Sequence, residues 1–209
     1  MSKSSKKGLY TMTAEEALAR FDTDCATQRK AFEGAGLERL MRKHRIDEMF
    51  DAMGSDSGSI ADPEALSEKI CLLVSGALTN REVWVSRLIN TLAAILVPLV
   101  WLREKQSQAI TPARIKECVR EWIVTGTVPE WARQAPHGDV LAITEAIDAR
   151  CTRDRLEGEG ARIAVRYATL FTLAFVLEAL ILAEQVRPAV NDRHTEDIAQ
   201  TIARGHQPL

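Results

Sequence analysis

Aromatic side chains are scarce in this sequence, 5% of 209 residues. A core with so few rings must be filled by Leu, Ile, Val and Ala, which suits helices packed on helices better than a sheet sandwich. The four cysteines, Cys25, Cys71, Cys118 and Cys151, stand far apart and none forms a CxxC pair. Neither a zinc site nor a thioredoxin-like centre therefore has a signature. Each cysteine replaces an apolar residue in a helical pattern, as a reduced core thiol does, so the expected compartment is the cytoplasm, without disulfides. Positive charge is not in excess: 27 Lys and Arg against 29 Asp and Glu leave a net charge of −2. That balance excludes a global field able to hold nucleic-acid phosphates nonspecifically. Lys3, Lys6 and Lys7 are followed by no apolar segment, so residues 1–12 read as a disordered leader and not as a secretory signal. No GxxxxGK[ST], GxSxG or HExxH string occurs, and Gly158-Glu159-Gly160 lacks the third glycine and the preceding strand of a dinucleotide loop. The sequence assigns no catalytic residue, no cofactor and no metal.

What the chain does have is two long apolar stretches among residues that are 27% charged. The first runs from Glu82 to Lys105. Its uncharged part, between Arg87 and Arg103, is fifteen residues long and is interrupted by Asn90 and Thr91. That falls short of the roughly 18 to 20 residues that a membrane span needs. The second, Tyr167 to Val186, carries Glu178 at its middle, where lipid would penalise a carboxylate heavily. Both read as long central helices of a bundle rather than as stable membrane insertions. Pro98 is expected to kink the first.

Helix punctuation surrounds these stretches. Thr13-Ala14-Glu15-Glu16 is a capping box, and Leu18, Phe21, Cys25 and Phe32 follow on one face. Gly34 and Gly36 mark a break before a second helix carrying Leu37, Leu40, Met41, His44, Met49 and Phe50. Gly54 to Ser59 reads as a loop. Asp62-Pro63-Glu64 and Thr111-Pro112 are strong helix starts, and Gly126 a stop. Thr127 to Trp131 suggests a short helical turn. Asp139 is expected to cap a helix bearing Val140, Ile143, Ile147 and Cys151, and Asn191 to open a last helix that Gly205 closes. Glu121 to Val128 is the best strand candidate in a sequence without sustained alternation. The expected fold is all-α, a bundle of about eight helices. Its organisation is an N-terminal helical pair over residues 13–53 and a main bundle over 62–205, forming one domain together.

Few residues suggest a site. Arg39, Arg42, Lys43 and Arg45, with Arg29 and Lys30 upstream, form a basic cluster able to meet an acidic partner or DNA phosphates. Neighbouring Glu33, Glu38, Asp47 and Glu48 dilute it, and a solvated helix face is the plainer reading. Trp131, in a connector, is either a pin for its loop or an anchor for a partner. Glu178 lies on a face that reaches solvent or pairs with an arginine such as Arg87, or else marks a polar site inside the bundle. His194-Thr195-Glu196-Asp197 reads as a solvated helix end; His44, His137 and His206 lack ligand spacing.

From about Ile70 to Trp131 the order of residues resembles the type IV coupling proteins, in the branch that serves Dot/Icm secretion and IncI conjugation. The similarity rests on Val74-Ser75, on Trp84 and Arg87, on Ala93 to Glu104 with its Leu99-Val100-Trp101-Leu102-Arg103-Glu104 string, and on Ile110-Thr111 and Ile115 opening the next helix. It covers roughly a third of the chain. The resemblance implies an all-helical domain without Walker motifs, excised from or related to a motor that would itself be an ATPase. It further implies work on the cytosolic face of the inner membrane, receiving DNA–protein or protein substrates through a relaxosome, an effector or an adaptor. DNA is the weaker partner on this reading. The alternatives that the residues leave open are a small helical enzyme or ligand-binding protein with its site near Glu178, and a membrane-associated helical protein.

Overall fold

The computed structural model describes residues 11–34, 46–54, 60–75 and 82–185. Among these the chain is all-α: eight α-helices and one 3-10 turn, with no strand. The helices are α1 (Ala14–Gly34), α2 (Ile46–Met53), α3 (Pro63–Ser75), α4 (Glu82–Gln106), α5 (Pro112–Thr125), α6 (Gly138–Arg153), α7 (Glu159–Leu170) and α8 (Leu173–Gln185). The 3-10 turn, Glu130–Ala132, lies between α5 and α6. The strand candidate Glu121 to Val128 is helical as far as Thr125, where it continues the amphipathic stripe of Ile115, Cys118, Val119 and Trp122, and is irregular from Gly126 to Val128. Arg39, Arg42, Lys43 and Arg45 of the basic cluster, His44, His194, His206 and the expected last helix from Asn191 lie outside the described residues.

Local chemistry sets most helix starts. The Thr13 amide donates to Glu16 Oε2 at 2.8 Å while the Glu16 amide donates to Thr13 Oγ1 at 3.1 Å, a reciprocal capping box opening α1. The Asp62 carboxylate accepts the amides of Glu64 and Ala65 at 3.2 and 3.3 Å, opening α3 at Pro63. Thr111 Oγ1 accepts the Arg114 amide at 3.2 Å ahead of Pro112. One expectation fails: α6 begins at Gly138 with His137 as its cap residue, and Asp139 lies one position inside. The His137 ring is drawn instead to the Ala135 carbonyl at 2.8 Å, so no side chain caps α6 and Asp139 serves only as first-turn negative charge.

α5 ends where the sequence indicates. Gly126 adopts φ +74° and its amide donates to the Trp122 carbonyl at 2.9 Å. A β-carbon there would sit 3.0 Å from Thr144 Cγ2 and 3.2 Å from Arg166 Nε. Gly126→Ala combines left-handed strain with crowding, and we expect a loss of about 1–3 kcal/mol, read as a lower thermal midpoint. An unchanged midpoint would contradict that account.

α4 is one helix of 25 residues that runs through Pro98 to Gln106. It packs most extensively along α3 and also touches α5, α6 and the 3-10 turn. Leu92, Ile95, Leu96, Leu99 and Leu102 are fully buried along it, and the buried Ser67 hydroxyl of α3 donates to its Ile89 carbonyl at 2.7 Å. The second apolar stretch departs from the expected single rod. It divides at Phe171-Thr172 into α7 and α8, whose axes differ by 53°. At the break the amides of Ala174 and Phe175 donate three residues back, to Phe171 and Thr172. The Thr169 hydroxyl donates to the Val165 carbonyl, a back-bond that bends helices. No single described helix is long and apolar enough to cross a membrane; the bent pair α7 and α8 meets that composition only when taken together. In the fold α8 buries Leu173, Ala174, Val176, Leu177, Ala179, Leu180, Leu182 and Ala183 against the rest of the chain. α1 crosses α5 and α7, and α6 joins α7 to α4.

Candidate functional site

Among the described residues three charged side chains lie inside this apolar body, and each is held. Arg103 is 2% exposed. Its guanidinium donates to the carbonyls of Ala52 and Ile60 and to Glu104 Oε1. Arg166, 3% exposed, donates to the carbonyls of Ile123 and Val124 and to Glu159 Oε1. Burial pushes the Glu159 carboxyl upward, but hydrogen bonds and charge from Arg166 and Arg162 outweigh it and hold the group below its ordinary range. Glu178, 3% exposed, has Lys116 Nζ 3.5 Å from Oε1. Lys116 fills the role suggested for Arg87, whose side chain is outside the described ones. The Glu178 region is therefore an ion pair between α5 and α8, flanked by the Arg120–Asp22 pair and the Tyr167–Asp24 hydrogen bond to α1. Tyr167 is raised to about 12, first by burial and then by Asp24. Among the described residues, no group of three His, Cys, Asp or Glu side chains is placed to hold a metal.

Trp131 is pinned. Its indole N–H donates to Glu117 Oε1 at 2.8 Å and the Arg114 guanidinium lies 5.6 Å over its ring. Both partners belong to α5, so the half-buried indole fastens the connector to the helix before it. Trp122 is fully buried, with its N–H donating to Thr144 Oγ1 at 2.8 Å across to α6. The Trp122 bond and the Gly126 turn together fix how α6 departs from α5.

An open groove of about 520 Å³ lies where α4 passes the starts of α3 and α6. Its floor is a single stripe of α4, Ala93, Ala94 and Val97, faced by Ala142 and Ile143 of α6. Asn90 continues the stripe at one end, and Pro63 forms part of one wall. The rim is acidic: Asp62 and Glu64 on the α3 side, Asp139 on the α6 side, all solvent-exposed. Asp62 caps α3 through backbone amides, and no described Lys or Arg forms an ion pair with any of the three. Two helix starts face the same region, worth roughly +0.5 charge each. Three carboxylates exceed that sum, so the groove mouth is net negative.

The sequence marks Arg103 only as a boundary and a member of the resemblance string, and it gives no sign of the groove. Arg166 did leave a signal, since Ile163, Arg166 and Leu170 share one helical face and both neighbours are buried. No family model matches the chain, and neither a curated protein nor a solved structure matches it.

Proposed function

We propose that this chain is a non-catalytic helical recognition module of a type IV coupling protein, one that receives DNA–protein or protein substrates for conjugative transfer or secretion. The observation that carries the reading is the use of the Leu99–Glu104 string, the centre of the resemblance. Leu99, Val100 and Leu102 enter the core, Arg103 binds the end of α2 to the segment before α3, and Glu104 steadies the guanidinium. Thr111 caps the next helix and Ile115 is fully buried in it. Leu99, Val100, Leu102, Arg103 and Ile115 of the resemblance thus serve the packing of α2 to α5, which supports a scaffold whose surface is free to vary. The buried charges also favour a scaffold, since Arg103, Arg166 and Glu178 are each engaged by the protein's own groups. On this reading the module works in the cytoplasm, at the inner face of the membrane through a parent complex, and its partners are proteins of the relaxosome, effectors or adaptors.

The test is immobilised chain against purified relaxosome proteins, effectors and adaptors of a conjugation or secretion system, with and without origin DNA. We expect retention of at least one protein component, competed by the same component free in solution. Retention of none, on a chain verified as folded, would overturn the proposal.

A further inference from the structure

The geometry points to the groove between α3, α4 and α6 as the docking site for a cationic amphipathic helix of a partner protein. This inference rests on the recognition reading above and names the chemistry of its partner. The floor is built for close approach: Ala93, Ala94 and Ala142 have the shortest side chains that still offer apolar surface. Helix axes packed on such residues come near the lower end of the 8–10 Å range. The floor residues at 90, 93, 94 and 97 follow the spacing of one helical stripe. An incoming helix can lie along it with its own i, i+3, i+4 and i+7 side chains filling the 520 Å³ volume.

Charge selects among helices. The mouth carries Asp62, Glu64 and Asp139 on opposite walls, unmatched by any cation of the described residues, against the smaller positive contribution of two helix starts. An acidic helix would be repelled there, and a purely apolar one would gain nothing from the rim. Lys or Arg side chains can lay their methylene stems over the alanine floor and carry their heads to the carboxylates on both sides. These rim pairs are exposed, so their contribution lies chiefly in association rate and falls with added salt.

The experiment uses the full chain and a fluorescein-labelled amphipathic peptide of lysine, leucine and alanine, followed by anisotropy, with a second peptide in which glutamate replaces every lysine. We expect the lysine peptide to bind and the glutamate peptide not to. The double reversal Glu64→Lys with Asp139→Lys should weaken binding about tenfold or more. Ala142→Trp, which fills the groove without changing charge, should do the same. Ala113→Trp, exposed on α5 away from the groove, should leave affinity unchanged, and thermal midpoints should confirm that all variants fold. Equal affinity for Ala142→Trp and the unaltered chain would mean diffuse charge attraction and overturn the site. So would equal binding of the glutamate peptide, or sedimentation showing that Ala142→Trp merely separates two copies of this chain. The two proposals fail separately. If the groove variants retain the partner found by immobilised-chain capture, recognition stands and the groove is not its seat. If the lysine peptide binds in the groove and no component is ever captured, the groove stands and the coupling-protein reading falls.

Discussion

Replacing Arg103 with leucine should cost about 3–5 kcal/mol of stability, close to what is lost when one member of a buried charged network is removed. Leucine restores apolar volume but no donors. The carbonyls of Ala52 and Ile60, which the guanidinium satisfies from the end of α4, would then face a space that water does not fill freely. Each unmet buried acceptor costs about 1–3 kcal/mol. Ala52 O keeps a long bond from the Ile60 amide, at 3.4 Å, which trims the loss without removing it. Arg103→Lys should fall between, because a single ammonium cannot span both carbonyls in the way a planar fork does. Urea unfolding measures the sum, and hydrogen exchange locates it. Protection should drop first at Ile60 and at Ile110, whose amide donates to the Met53 carbonyl at 2.9 Å and so depends on the same corner. A midpoint within a few tenths of a kcal/mol of the parent would mean that Arg103 is a bystander.

The corner also shows why part of this molecule was legible in the sequence and part was not. Helix starts at Thr13, Asp62 and Thr111 and the stop at Gly126 follow from contacts within a few residues, so sequence carries them directly. The α7–α8 break has no proline or glycine at its point of division. The backbone there bonds three residues back and the core lies to either side, and an apolar run cannot disclose that. Arg103 stands at the boundary of the first apolar stretch, where a charge reads as an ending; only the approach of Ala52 and Ile60 from elsewhere in the chain turns it inward. Glu178 was conspicuous, but its partner was not. Lys116 reaches it because α5 and α8 lie side by side. The groove is the hardest case. Asn90, Ala93, Ala94 and Val97 read as part of a helix apolar on nearly every side, and only the placement of the starts of α3 and α6 beside it defines which stripe lines a groove.

Raising the pH from 8 to 10 should remove about 4 kcal/mol of stability through three thiols alone. Burial pushes Cys25, Cys71 and Cys118 up from 9.0 to about 12. Each is at most 2% exposed. A group whose folded value lies above its unfolded one lends stability that is complete below the unfolded value and drains as pH rises toward the folded value. At pH 8 the unfolded thiols are still mostly protonated and nothing has been lost. At pH 10 the three unfolded thiols together favour their thiolates by about 4 kcal/mol, which the folded chain cannot match. Against a total of roughly 5–15 kcal/mol for a typical domain, this loss brings the chain near its threshold. Tyr167 adds in the same direction, more weakly, since its ordinary value of 10.0 is only reached at the end of the interval. Urea midpoints at the two pH values measure the loss. Alanine at the three cysteines should lower stability at pH 8 through lost packing yet flatten the decline toward pH 10. At neutral pH an aromatic disulfide reagent should find all four thiols, Cys151 included, closed in the folded chain and open in urea. A decline equally steep without the three thiols would mean that they are not its source.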